Sequence, residues 1–191
     1  MQAEVVDGIV ATLKSFQFGE PTDDATIMGP LVSARQKERV EAFIQSGLDE
    51  GAVAVLGGNT DSGFERGYYV APTVFTNVTA DMRIFKEEIF GPVITVSAYD
   101  SEEEAVALHD GTDFVLSGSV YSESLERATE FSRKLATGQL LINGRRGAPN
   151  ALRDMYKQSA LGGGVDRMGG FLQTKGITQP SGDNTMKTIF G

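Results

Sequence analysis

The chain has 191 residues, 40% hydrophobic and 23% charged, with a formal net charge of -9; this is the make-up of a medium-sized globular domain, not of a disordered chain. Acidic residues outnumber Lys and Arg by 26 to 17, which argues against a nucleic-acid or anionic-membrane partner, since both need clustered cations. Cysteine is absent and histidine occurs once, at His109, so the sequence offers no disulfide, thiolate or multi-histidine metal site, and no cysteine nucleophile.

No apolar run approaches the roughly 20 residues of a membrane span. The opening MQAEVVDGIV lacks the basic and apolar regions of a signal peptide, so a cytoplasmic location is the default expectation. Val6, Ile9, Val10, Leu13 and Phe16 recur at helical spacing and predict an amphipathic helix ending before Gly19-Glu20-Pro21. A polar connection follows, then a second helix opening at Ser33, with Gln36 completing a capping box. Val40, Phe43, Ile44 and Leu48 are its apolar stripe, and Gly51 sits where a C-terminal cap belongs.

Residues 52–56 form a short apolar run that predicts a buried strand. Residues 68–75 are strand-like, but Pro72 cannot donate to a ladder, which predicts an edge or irregular strand. Residues 93–98 are a better strand. Ser101 and Glu104 open a helix that closes near Asp110-Gly111, followed by a strand over 115–121. Leu125, Ala128 and Leu135 mark a further helix closed by Gly138, and residues 139–143 a further strand. Residues 171–178 read as a last strand and 179–191 as a disordered tail. This alternation of strand and capped helix is the rhythm of a parallel α/β sheet. Arg145-Arg146, the nearest approach to a cationic cluster, reads as a solvent-facing turn.

Four stretches resemble the aldehyde dehydrogenase superfamily, in order and spacing. They are residues 28–58, GYYVAPTVF at 67–75, KEEIFGPV at 86–93 and ATGQLLING at 136–144, followed by YKQS at 156–159 and FLQTKGI at 171–177. The resemblance is to a carboxy-terminal portion of the catalytic domain. It implies an α/β three-layer domain with a mostly parallel sheet, incomplete relative to a full aldehyde dehydrogenase. The catalytic-domain portion would run over 1–170, and 171–178 would resemble the strand used in subunit association. It further implies that Glu88 accepts hydrogen bonds from the ribose hydroxyls of NAD or NADP and that Phe90 packs against the nicotinamide ring. A carboxylate suits vicinal hydroxyls because it accepts two hydrogen bonds. The alternative is that Glu87 and Glu88 merely solvate a turn while Ile89 and Phe90 fill the core.

Members of the family oxidise an aldehyde to an acid through a cysteine thiolate. In the family that thiolate, the general-base Glu and the Gly-rich coenzyme loop lie upstream of the helix that opens this chain. No catalytic residue and no metal ligand is therefore assigned, and tight NAD(P) binding by the chain alone is not expected. The family's Pro-Phe-Gly-Gly element before YKQS is replaced by Leu152-Arg153-Asp154-Met155. His109 falls in the last turn of its helix, where interaction with the helix dipole is the expected role. The expected function is thus part of an NAD(P)-dependent aldehyde dehydrogenase, inactive alone. The alternatives are a module that self-associates or docks a partner, one half of a split enzyme completed by an N-terminal half, and an unrelated α/β ligand-binding domain.

Overall fold

The computed structural model describes residues 1–59, 63–144, 156–157 and 176–178. Arg145, Arg146, residues 152–155 and 158–175, and the 179–191 tail lie outside the described residues, with every expectation placed on them. The chain divides into two units, residues 1–100 and 101–191.

In the first unit, helix α1 (Gln2–Ser15) is followed by α2 (Ala34–Asp49), strand β1 (Val53–Leu56), strand β2 (Thr73–Thr76), the one-turn helix α3 (Arg83–Lys86) and strand β3 (Val93–Thr95). In α1 only Val6 of the expected stripe is buried. Helix α2 starts where Ser33 Oγ accepts a hydrogen bond from the Gln36 N–H at 3.2 Å, satisfying one of the first-turn donors the helix cannot satisfy itself. It stops at Glu50, after which Gly51 takes φ +97°, a conformation glycine adopts without steric penalty. The Ala52 N–H then reaches back to the Gly47 carbonyl at 2.9 Å. Val40, Phe43 and Ile44 are buried as expected, whereas Leu48 is exposed and Gly47 takes the core-facing place beneath Ile84 and Phe75.

These α2 side chains enter one apolar cluster with Val70, Phe75, Val78, Met82, Ile84 and Ile89. Burying each large side chain is worth about 1.5–3 kcal/mol, so the cluster fixes where the 83–93 segment lies against α2. The sheet order is β1-β2-β3, with β1 and β2 antiparallel and β2 and β3 parallel. Two expectations are corrected here. Strand β1 is not buried: Val53 and Val55 are 45% and 42% exposed, because β1 is the outer strand of this sheet and only one of its faces is packed. Strand β2 is central, not an edge, because it begins after Pro72 and the imide nitrogen is never asked to donate. Phe64 stacks on Tyr69 at 4.0 Å between ring centres, and the Tyr69 hydroxyl donates to the Gly19 carbonyl at 3.2 Å.

In the second unit, helix α4 (Glu102–Asp110), strands β4 (Phe114–Val115) and β5 (Ser117–Val120), helix α5 (Leu125–Lys134), strand β6 (Gln139–Ile142), strand β7 (Tyr156–Lys157) and strand β8 (Gly176–Thr178) follow in order. Ser101 caps α4 through the Glu104 N–H, and Ser124 caps α5 through the Arg127 N–H. The strand expected over 115–121 is split at the exposed Leu116: β4 pairs antiparallel with β7, while β5 joins the all-parallel sheet β5-β6-β8. Glu102 accepts from Arg127 at 2.9 Å and Lys134 at 3.0 Å. Those two cations, Lys134 foremost, hold its carboxyl below the usual range. Three of the five strand pairings among the described residues are parallel, so the α/β class and the mostly parallel sheet hold.

Candidate functional site

The segment from Lys86 to Val93 leaves α3 and enters β3. Its side chains alternate sharply: Ile89 is 8% exposed, inside the core cluster, whereas Phe90 is 74% exposed. Glu88 on the other side of Ile89 is exposed as well. Two residues apart, Glu88 and Phe90 would share one side of an extended segment. Both stand in solvent, but the segment is not extended throughout, since Phe90 has φ +59°. That left-handed conformation costs an L-residue with a Cβ roughly 1 kcal/mol or more. The alternative in which Phe90 fills the core is thereby excluded, while the same alternative is right for Ile89.

Helix α2 holds the backbone of this segment. Gln36 Nε2 donates to the Phe90 carbonyl at 3.0 Å and to the Ile89 carbonyl at 3.3 Å. One turn on, Arg39 Nη2 donates to the Glu88 carbonyl at 2.9 Å. The Arg39 guanidinium lies 4.8 Å from the centre of the Phe43 ring and that of Arg83 lies 4.1 Å from it. Arg83 is further tied to Glu87 at 2.9 Å. Gly91 passes directly under Val40: a Cβ there would come within 2.5 Å of Val40 Cγ2, so the approach of segment to helix requires the missing side chain. At Gly91-Pro92 the chain bends into β3, with the Val93 N–H donating to the Gly91 carbonyl at 2.8 Å and the Thr73 N–H to the Pro92 carbonyl at 2.9 Å.

Arg39 was not singled out from the sequence, and Gln36 was read only for its place at the helix start. Gln36 was assigned to a capping box, but its side chain reaches Ile89 and Phe90, so only the Ser33 half of that box is made. The signal lay in the spacing: Gln36, Arg39 and Val40 stand three and four residues apart and share one face of α2. Below the segment, Asp81 accepts from the Thr79 hydroxyl at 2.6 Å. That bond, the Asp81 N–H and the nearby Lys86 hold its carboxyl below the usual carboxylate range.

In the second unit, His109 is in the last turn of α4, as expected, and its Nε2 is hydrogen-bonded to the buried Thr137 hydroxyl. The ring thus has a definite side-chain partner. Asn143, at φ +54°, clasps Ser122 twice: Oδ1 accepts from the Ser122 N–H at 2.9 Å and Nδ2 donates to its carbonyl at 3.1 Å. Among the described residues no three His, Asp or Glu side chains gather as metal ligands, and no helix is long and apolar enough to cross a membrane.

The sequence model of the Aldehyde dehydrogenase family matches residues 1–177. The chain belongs to the aldehyde dehydrogenase family. Its relatives include the betaine aldehyde dehydrogenase of Rhizobium leguminosarum bv. trifolii, 43% identical over 78% of this chain and 31% of that protein. The geranial dehydrogenase of Castellaniella defragrans is 35% identical over 91% of this chain and 36% of that protein. Among solved structures, a mutant of aldehyde dehydrogenase C from Pseudomonas syringae in complex with NAD+ and octanal superposes with a TM-score of 0.79 at 38% identity, over 83% of this chain and 33% of that one. The aldehyde dehydrogenase of Mycobacterium tuberculosis complexed with NAD+ gives 0.79 at 36% identity, over 84% and 33%. The chain thus spans about a third of the length of the proteins it matches.

Proposed function

We propose that this chain contributes the nicotinamide-side rim of an NAD(P)-dependent aldehyde-oxidising site, and that the 191 residues alone do not carry aldehyde through to acid. The observation that carries the reading is Phe90: a large aromatic, 74% exposed, in a left-handed backbone conformation. Among the described residues Phe90 is not in the core cluster, whereas the buried Ile89 beside it is explained by that core alone. Such a ring is suited to stacking against a planar heterocycle. Glu88 offers an exposed carboxylate two residues away, able to accept from both hydroxyls of a ribose.

The residues present therefore fit the nicotinamide half of a dinucleotide: Glu88 would hold the ribose and Phe90 the ring. NAD or NADP, when bound, supplies the hydride acceptor for the oxidation. Glu88 fixes the sugar and thereby the facing of the ring; Phe90 covers part of the ring and keeps water from it. Two hydrogen bonds at about 0.5–1.5 kcal/mol net each and one ring contact at about 0.5–1.5 kcal/mol fall well short of the roughly 8 kcal/mol that micromolar affinity takes. Tight dinucleotide binding by this chain alone is accordingly not part of the reading. Nor is turnover, because the chain contains no cysteine and no other side chain combines a thiolate's nucleophilicity with its leaving ability.

Catalysis on this reading needs a thiol-bearing segment outside these residues, on a longer form of the same polypeptide or on a complementary chain, in the cytoplasm. The aldehydes named for the two relatives, betaine aldehyde and geranial, differ in charge and size, so the substrate is proposed only as an aldehyde. The test has two arms. Nicotinamide mononucleotide at millimolar concentration should shift amide resonances around 88–90, and Glu88→Gln should abolish the shifts. The purified chain should neither bind NAD or NADP with micromolar affinity by calorimetry nor reduce either one when an aldehyde is added. Aldehyde-dependent reduction, or nucleotide shifts elsewhere in the chain, would overturn the proposal.

A further inference from the structure

Strand β6 runs into Asn143 at φ +54°, and Gly144 follows at φ +71°. Each residue type answers a local demand. Asparagine tolerates the left-handed region better than most residues with a Cβ, and its amide is also in use. Oδ1 accepts from the Ser122 N–H at 2.9 Å, and Nδ2 donates to the Ser122 carbonyl at 3.1 Å. The Asn143 N–H adds a further tie, to the Val120 carbonyl at 2.9 Å. Gly144 is required by its own φ, and by Tyr121, whose Oη would lie 3.0 Å from a Cβ at this place. The fold thereby sets a glycine directly after an asparagine. Of the five asparagines in the chain, Asn59, Asn77, Asn143, Asn150 and Asn184, only Asn143 is followed by glycine.

That order is chemically reactive, because a glycine has no side chain to obstruct attack by its own nitrogen on the preceding side-chain amide. The Gly144 N–H gives its proton to base and the nitrogen attacks Asn143 Cγ. The N–Cγ bond forms, Cγ–Nδ2 breaks and ammonia leaves. Water then opens the cyclic imide at either carbonyl and leaves aspartate or isoaspartate at position 143. We propose that Asn143-Gly144 is a spontaneous deamidation site that the Ser122 clasp holds shut, and that its conversion is a one-way release of the turn between β5 and α5.

The clasp opposes the first step, since both polar atoms of the side-chain amide are bound to Ser122. The planar group cannot turn toward Gly144 without giving up both bonds. Conversion then removes the clasp for good. The carboxylate formed has no N–H to offer the Ser122 carbonyl, so oxygen faces oxygen. What it lets go is the turn that launches α5: Ser122 Oγ accepts from the Ser124 N–H at 3.2 Å, and Ser124 Oγ in turn caps the helix through the Arg127 N–H at 3.2 Å.

The test incubates the whole chain in mildly alkaline buffer, folded or in denaturing urea, and samples it over time. Peptide mass spectrometry reads conversion at each asparagine, and labelling by an isoaspartyl methyltransferase reads the isoaspartate. In urea, position 143 should convert before the other four asparagines. In the folded chain it should convert about tenfold more slowly or slower still, because the reactive form needs two net hydrogen bonds opened. Asn143→Asp reproduces the direct product. It should raise amide exchange at Ser122 and Ser124 about fivefold or more, while Leu140 within β6 keeps its protection. The ratio of conversion rates is measured on the parent chain and does not depend on that variant folding.

Equal conversion at position 143 in the folded chain and in urea refutes protection by the clasp. Earlier conversion of another asparagine in urea refutes the assignment of the reactive pair. If Asn143→Asp exchanges at Ser122 and Ser124 as the parent does, conversion releases nothing and the one-way release is refuted.

Discussion

Ile89 and Phe90 are neighbours in sequence with opposite environments, 8% and 74% exposed, and this makes them a controlled pair. Removing the Ile89 side chain to Ala deletes buried methylenes from the core cluster and should cost about 2–4 kcal/mol in denaturant titration. Phe90→Gly should cost almost nothing. The substitution relieves roughly 1 kcal/mol of left-handed strain while it raises the entropy of the unfolded chain by a similar amount, about 0.4–1 kcal/mol. The two terms cancel to within about 0.5 kcal/mol. The same variant should lose the nicotinamide mononucleotide shifts. A Phe90→Gly chain destabilised as much as Ile89→Ala would mean that the ring is a structural group, and the reading of it as a ligand surface would fall. Individual residues were legible in proportion to how local their causes are. Glu88 and Phe90 could be singled out because the motif is contiguous. Gln36 could not be given its role, since its partners lie 53 and 54 positions away and an amide between two carbonyls leaves no mark on the intervening sequence.

Among elements, the helix ends were the most legible features, because a cap needs only a serine and its third neighbour. Ser33 and Ser101 both accept from that neighbour's N–H, and Gly51 takes the positive φ its place demands. Helix α3 was missed. It is a single turn and Met82, its N-cap, supplies no side-chain acceptor. The acceptor comes instead from the far end of α2: Glu50 Oε2 takes the Arg83 N–H at 2.6 Å, while Oε1 takes the Ser46 hydroxyl at 2.6 Å. One carboxylate thus joins the last turn of α2 to the first turn of the element that launches residues 86–93. Replacing it by Ala should cost about 1 kcal/mol, the range for a lost cap, and should speed amide exchange at Arg83 above that of the core. Glu50→Gln retains an acceptor oxygen and should recover most of the loss. Equal costs for the two substitutions would show that the carboxylate's charge, not its geometry, is what α3 uses. The strand errors have a similar origin. Residues 52–56 hold strand β1, but of the strand read over 68–75 only 73–75 lie in β2, and which strand is central depends on partners that periodicity does not encode, so β1 and β2 exchanged places.

For the molecule as a whole, the family and the α/β class were legible because several ordered motifs agree, while the division into two units at residue 100 was not, since no composition shift or linker marks it. Whole-molecule behaviour should follow charge. At neutral pH the formal charge of -9 opposes close approach of two copies. The outer face of β1 meanwhile presents Val53 and Val55, 45% and 42% exposed, on a strand whose outer edge has no neighbour in its sheet among the described residues. Such an edge is a template for pairing with another chain. Repulsion is then what limits self-association, and it vanishes as the pH falls toward the isoelectric point near 4.6. Light scattering should therefore report a rise in average mass between pH 7 and pH 5, and added salt at pH 7 should reproduce part of that rise by screening. Val55→Lys places a like charge on the face and should suppress the rise at pH 7 in salt, as charged residues do on natural edge strands. If mass stays constant across that range, or if Val55→Lys associates as the parent does, contact between copies does not run through β1.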